Sequence, residues 1–251
     1  MRLGCPTGQA DHGMPHHSAP KPPVGGWKVS SRWVAQDAFA LEAMRPLGEA
    51  FLPWTGFSVS PAAILKILTV AEFYRPTVIL ELGAGLSTVF LARYARYRGF
   101  EGTSIISVDN DEAWLGLVAE YLERENLESY VHLTYARRMA WRPPAAVAAP
   151  ADSTWKFELP DKWYDPSAIR SALNGRSIDM LLVDGPKGRG TITRYPALVE
   201  FAADLAEGCT VVLDDAHRPP EQEIIARWEP LGGLEFNFQR DVNLAIGRPP
   251  R

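Results

Sequence analysis

From Thr77 onward the apolar residues fall in short runs, and between most runs they recur every three or four positions. The runs near 77–82, 104–109, 130–135, 178–184 and 210–214 have the length of buried strands. Segments such as 111–125 and 193–207 carry the amphipathic pattern of helices. This alternation predicts an α/β fold, a mainly parallel sheet with helices on both faces. Two last runs, 234–238 and 242–246, are separated only by a short polar link containing Gln239, Arg240 and Asp241. So short a link joins only antiparallel strands, so the sheet is expected to end on an antiparallel strand.

Upstream, the pattern predicts a helix over 34–47 and a second helix opened by Ser60-Pro61, a capping residue followed by proline at the first helical position. An aromatic loop, Trp54 to Val59, lies between them. These helices are candidates for a homodimer surface or for a cover over the active site. Residues 1–26, rich in Pro, Gly and His, read as a flexible tail ahead of a single domain over 27–251. Residues 136–177 form a long connection with Trp141, Trp155, Trp163 and Tyr164, expected to be a partly ordered lid or substrate wall.

Composition narrows the class. The 251 residues are 46% apolar and 22% charged, as in a soluble globular protein. A net charge of -4 argues against a nucleic-acid surface. The absence of a membrane span and of an apolar signal core predicts a cytoplasmic protein. Cys5 and Cys209 suggest neither a disulfide framework nor a metal site, and His12, His16 and His17 sit in the tail.

Candidate chemistry begins at Val78-Ile79-Leu80-Glu81-Leu82-Gly83-Ala84-Gly85-Leu86-Ser87-Thr88. An apolar strand ends in an acid, turns on two glycines and enters a helix, the handover found at nucleoside sites. Asp109 ends the next strand 28 residues after Glu81, where a carboxylate can take the hydroxyls of a ribose. Thr88 stands where a dinucleotide fingerprint would have its third glycine, and Glu81 would repel a diphosphate but suit a cationic amino acid.

That combination resembles the first motif of class I S-adenosylmethionine (SAM) methyltransferases. The resemblance implies a Rossmann-like methyltransferase fold with a seven-stranded sheet. It places Glu81, Gly83, Gly85, Ser87 and Thr88 in the cofactor site, beside the methionine moiety, and Asp109 on the ribose. An NAD-linked oxidoreductase is the alternative enzyme class, disfavoured by Glu81, by Thr88 and by the terminal hairpin. A SAM-binding module without catalysis is the non-enzymatic alternative.

A second constellation lies further on. Ile178 to Val183 leads into Asp184, and Val211 to Leu213 leads into Asp214-Asp215-Ala216-His217. In an open parallel sheet these acids gather at the ligand-binding edge, and a hard divalent cation would relieve their repulsion. The pattern resembles metal-dependent O-methyltransferases of the catechol O-methyltransferase type, which implies Mg²⁺ on Asp184, Asp214 and Asp215 and a lysine at the offset of Lys187. Here Gly185 and Pro186 replace bulkier residues, and the pair is Asp-Asp where Asp-Asn is also usual.

With Arg194-Tyr195-Pro196-Ala197-Leu198, these blocks are similar to bacterial sugar and natural-product O-methyltransferases over residues 54–247. The acceptor implied is a small molecule with a hydroxyl, a saccharide such as a mannoside or a natural product. Lys187 and His217 are alternative catalytic bases. Arg194 and Tyr195 are expected to pack rather than bind substrate. A metal-independent methyltransferase acting on O or N is the nearest alternative.

Overall fold

The computed structural model describes residues 31–48, 50–56, 58–100, 102–144, 155–188 and 191–250. The tail, with His12, His16 and His17, lies outside the described residues. The chain begins with α1 (Ser31–Met44) and α2 (Pro61–Tyr74), then alternates through β1 (Val78–Leu82), α3 (Leu86–Arg98), β2 (Ser104–Asp109), α4 (Glu112–Arg124) and β3 (Val131–Tyr135). A small antiparallel pair follows, β4 (Arg138–Ala140) with β5 (Lys162–Tyr164). Next come α5 (Pro166–Leu173), β6 (Ile178–Val183), α6 (Pro196–Phe201), β7 (Leu205–Leu213), α7 (Pro219–Gly232), β8 (Glu235–Gln239) and β9 (Leu244–Arg248).

Seven strands form one sheet in the order β3-β2-β1-β6-β7-β9-β8. The first five run parallel, and β9 is antiparallel to both its neighbours. The order reverses between β1 and β6, the topological switch point at which open α/β sheets bind ligands. Strand β1 is buried at all five positions, as a central parallel strand covered on both faces must be.

Alternate residues feed two cores. Leu80, Leu82, Leu181 and Val183 pack on the face that carries Trp163, Phe201 and Trp228. Ile79, Met180, Leu182 and Val212 pack on the face that carries Ile64, Ile67, Val89 and Leu91 of α2 and α3. Ser60 caps α2 as expected, its hydroxyl accepting from Ala63 N at 3.2 Å.

Two elements depart from the pattern. The helix expected over 193–207 is shorter: α6 gives way to a single 3₁₀ turn at Ala202–Asp204, and β7 begins at Leu205. Gly208, at φ +76°, and the irregular β6–β7 register between Ile178 and Met180 accommodate this extra strand length. Helix α7 was concealed by Pro219, Pro220 and Pro230. Pro219 opens the helix, where a missing N–H costs nothing, and Trp228 and Ile224 anchor it in the core.

Candidate active site

The sheet edge at the switch point is a cavity of about 320 Å³. That lies at the lower end of the size of small-ligand sites. Its floor is built by two turns in backbone contact. Gly83 N and Ala84 N donate to Val108 O at 2.8 and 3.1 Å, which ties the turn after β1 to β2. Asp184 N and Gly185 N both donate to Leu82 O, at 2.9 and 2.6 Å, which ties the turn after β6 to β1. Gly83 has φ +101°, closed to most side chains. Gly85 is different. Its backbone is extended, and a Cβ there would meet no protein atom within 4 Å, because it faces the cavity. Its glycine therefore leaves room at the site and is not required by a left-handed turn.

Gly83, Gly85, Ser87, Asp109, Asp184 and Lys187 all line this cavity. Asp109 Oδ1 accepts from Asn110 N at 2.7 Å and Asp111 N at 3.0 Å, which fixes the carboxylate at the end of β2. Burial pushes its pKa up, while these N–H groups and the Lys187 charge oppose the rise.

Glu81 and Thr88, expected in the cofactor site, lie behind the cavity lining. Both are fully buried. Glu81 lies opposite Ser107 in the β1–β2 register and accepts from three hydroxyls: Ser87 and Thr88 at 2.5 Å and Ser107 at 2.6 Å. Thr88 Oγ1 in turn accepts from Gly85 N at 2.9 Å. The acid thus holds the glycine turn from beneath. Burial outweighs these hydrogen bonds and raises its pKa to about 7.

Sequence reasoning missed several walls. The Trp114 indole on α4 lines the cavity and donates to Ala84 O at 2.6 Å, pinning the glycine turn from above. Thr55, Ser58 and Val59 come from the α1–α2 loop. Tyr164 and Arg138 come from the β5–β4 pair. The described arms of the 136–177 connection contribute these two residues to the lining, with Trp141, Trp163 and Tyr164 buried in the core. Nothing in one sequence shows that the Tyr164 hydroxyl packs against the turn at Gly185, beside Asp184.

The three acids after β6 and β7 do converge: Asp184, Asp214 and Asp215 each bring a carboxylate oxygen within 4.8 Å of the others. Only Asp184 also lines the cavity. Burial and the neighbouring carboxylates push the Asp214 pKa well up. Between the acids lies Arg194, 5% exposed, which packs as expected but among charges. Its Nη2 donates to Asp184 Oδ1 at 2.8 Å and to Asp215 Oδ2 at 3.0 Å, and its Nη1 donates to the Asp214 carbonyl at 2.7 Å.

The candidate bases part company. Lys187 stands at the cavity, whereas His217 is exposed and lines a separate hollow with Gln222, Phe238 and Gln239.

A parallel sheet with this strand order, an antiparallel penultimate position and a glycine-turn cavity at the switch point define the class I methyltransferase architecture. The chain belongs to the methyltransferase domain family, whose model matches residues 80–216. Solved structures agree in fold. An O-methyltransferase from Bacillus cereus in complex with S-adenosylhomocysteine (SAH) is 15% identical, with 89% of this chain and 93% of that one covered and a TM-score of 0.53. TomG from Streptomyces achromogenes, an O-methyltransferase of tomaymycin synthesis solved with SAM, is 14% identical over 89% and 92% of the two chains, with a TM-score of 0.52. No curated protein matches the sequence. Among the described residues no helix is long and apolar enough to cross a membrane.

Proposed function

We propose that this methyltransferase uses SAM to methylate a hydroxyl of a small polar acceptor, a saccharide or another natural product. The observation that carries this reading is the shared cavity: Gly83, Gly85 and Asp109 line one side, and Asp184 and Lys187 line the same space. A nucleoside held by Asp109 and the glycine turn would direct its sulfonium toward the Asp184 side. The structural neighbours solved with SAH and with SAM are O-methyltransferases, which favours oxygen as the acceptor atom.

In this reading Asp109 takes the ribose hydroxyls. Gly85, with no side chain to intrude, and Ser87 border the amino-acid end. The acceptor oxygen attacks the methyl carbon in line with the departing sulfur, so a C–O bond forms as the C–S bond breaks and SAH is released. Lys187, which must enter the step as the neutral amine, receives the acceptor proton, and the resulting ammonium shares the cavity with the carboxylates of Asp109 and Asp184. Holding the two reactants in line supplies roughly 7–11 kcal/mol of the barrier. His217 has no part in this transfer. Mg²⁺ is also left out, because two of the three carboxylates that would hold it, Asp184 and Asp215, already accept from Arg194.

The test is SAH release from SAM across a panel of sugar and phenolic acceptors. Turnover that falls at least tenfold in Lys187→Met and stays within twofold in His217→Ala supports the assignment. Equal turnover in wild type and Lys187→Met removes Lys187 as base.

A further inference from the structure

We propose that Arg194 is the built-in cation of the acidic cluster, filling the place of a divalent metal and leaving the site indifferent to metal. Three carboxylates pair with this side chain, those of Asp184, Asp215 and Glu221, and Asp214 of the same acidic cluster offers it its backbone carbonyl. Arginine is always charged, and its planar fork carries five donors. Here the fork is used on several sides at once. Nη2 bridges Asp184 Oδ1 and Asp215 Oδ2, while Nη1 reaches the Asp214 carbonyl at 2.7 Å and lies 3.6 Å from Glu221. Asp215 Oδ2 also meets Arg218 Nη1 at 2.7 Å.

Asp184 and Asp215 are two of the three carboxylates a metal would need here, and Arg194 already occupies one oxygen of each. Mg²⁺ requires near-octahedral oxygen donors at about 2.0–2.1 Å and keeps several waters, so it cannot share them with a guanidinium at hydrogen-bond distance. Displacing Arg194 would strand a charge whose side chain is 6% exposed.

The backbone around Arg194 is held as well. Ile192 N donates to Glu158 O, Thr193 Oγ1 donates to Pro186 O, and the Tyr195 carbonyl accepts from the buried Trp228 indole. The segment between β6 and α6 therefore aims Arg194 into the cluster. Because Asp184 is the acid that also lines the cavity, Arg194 is a positioning residue for it. This consequence for turnover rests on the methyl-transfer reading above; the metal indifference does not.

The test is Mn²⁺ titration followed by electron paramagnetic resonance, with thermal unfolding in Mg²⁺ or chelator and SAH calorimetry on the same samples. Wild type is expected to bind no stoichiometric Mn²⁺, to unfold at the same temperature in both media, and to bind SAH equally in both. Arg194→Met removes the buried cation from the cluster and leaves Asp215 with Arg218 alone. It is expected to be destabilised in chelator, to recover in Mg²⁺ and to bind about one Mn²⁺ per chain. Arg194→Lys keeps the charge and should stay metal-indifferent. One Mn²⁺ per wild-type chain, lost in Asp184→Asn, would overturn the proposal, and so would a folded Arg194→Met with no metal response. If that variant does not fold, the wild-type titration decides. Stoichiometric metal with intact SAH binding would sink this inference alone, whereas loss of SAH binding would sink the methyltransferase reading.

Discussion

Gly83 and Gly185 pack backbone against backbone across the switch point. A Cβ on Gly83 would stand 2.8 Å from Gly185 N, and one on Gly185 would stand 2.9 Å from Gly83 Cα and overlap the Tyr164 hydroxyl. The two turns that frame the cavity therefore share one atomic contact, and Gly185 is small because Gly83 and Tyr164 leave no space.

Alanine at Gly185 should consequently disturb both turns. The overlap involves backbone on one side and a buried phenol on the other, so neither yields easily. A cost of about 1–3 kcal/mol is expected from overpacking. Thermal unfolding should show a drop of several degrees, with weaker SAH binding, and Gly85→Ala should leave stability within about 0.5 kcal/mol, as expected for a substitution into open space. Unchanged stability in Gly185→Ala would contradict the contact.

Glu81 makes stability depend on pH. Its pKa is raised from 4.5 to about 7 in the folded protein. The folded state therefore holds the proton more tightly than the unfolded chain. The stabilisation is complete below about pH 4.5 and is lost as pH rises through about 7. At about 1.4 kcal/mol per unit, the swing is on the order of 3 kcal/mol. Glu81→Gln cannot ionise, so its stability relative to wild type should improve between pH 5 and pH 8 in denaturant titrations. A constant difference across that range would show that Glu81 does not titrate there.

Arg93 and Glu125 join α3 to the end of α4 through two parallel hydrogen bonds, at 2.8 and 2.5 Å, and Arg93 is 2% exposed. Removing one partner strands the other. Glu125→Ala should cost about 3–5 kcal/mol. The double variant Arg93→Met with Glu125→Ala should cost clearly less than the sum of the single changes. A double-mutant cycle with strict additivity would contradict the pairing.

Trp114 should matter for the cofactor through the glycine turn. Trp114→Phe keeps a ring but loses the donor to Ala84 O. SAH affinity should fall several-fold, as expected for a lost hydrogen bond of about 1 kcal/mol. Equal affinity would mean that the turn holds its shape without this clamp.

The alternation of apolar runs was enough to place the sheet, the closing hairpin and the glycine turn, because buried parallel strands leave an unbroken signal. It did not separate residues that touch a ligand from residues that hold those that do. Glu81 is the penultimate residue of β1 and Asp109 the last of β2. Glu81 meets three hydroxyls on the α3 side, and that depends on Ser107 standing opposite it in the neighbouring strand. Arg194 was legible only as part of a helix start. Its place among Asp184, Asp214 and Asp215 comes from the convergence of two connections, β6–α6 and β7–α7. His217 adjoins the acids in sequence yet faces away, because Asp215 at φ +58° reverses the chain before it.

The central claim is that the cavity beside Asp109 and the glycine turn receives the SAM nucleoside. Calorimetric titration of the wild type with SAH, repeated with Asp109→Ala, tests it most directly. Micromolar one-to-one binding that weakens at least tenfold in Asp109→Ala is the predicted result. No heat with SAH, together with binding of NAD, would contradict it.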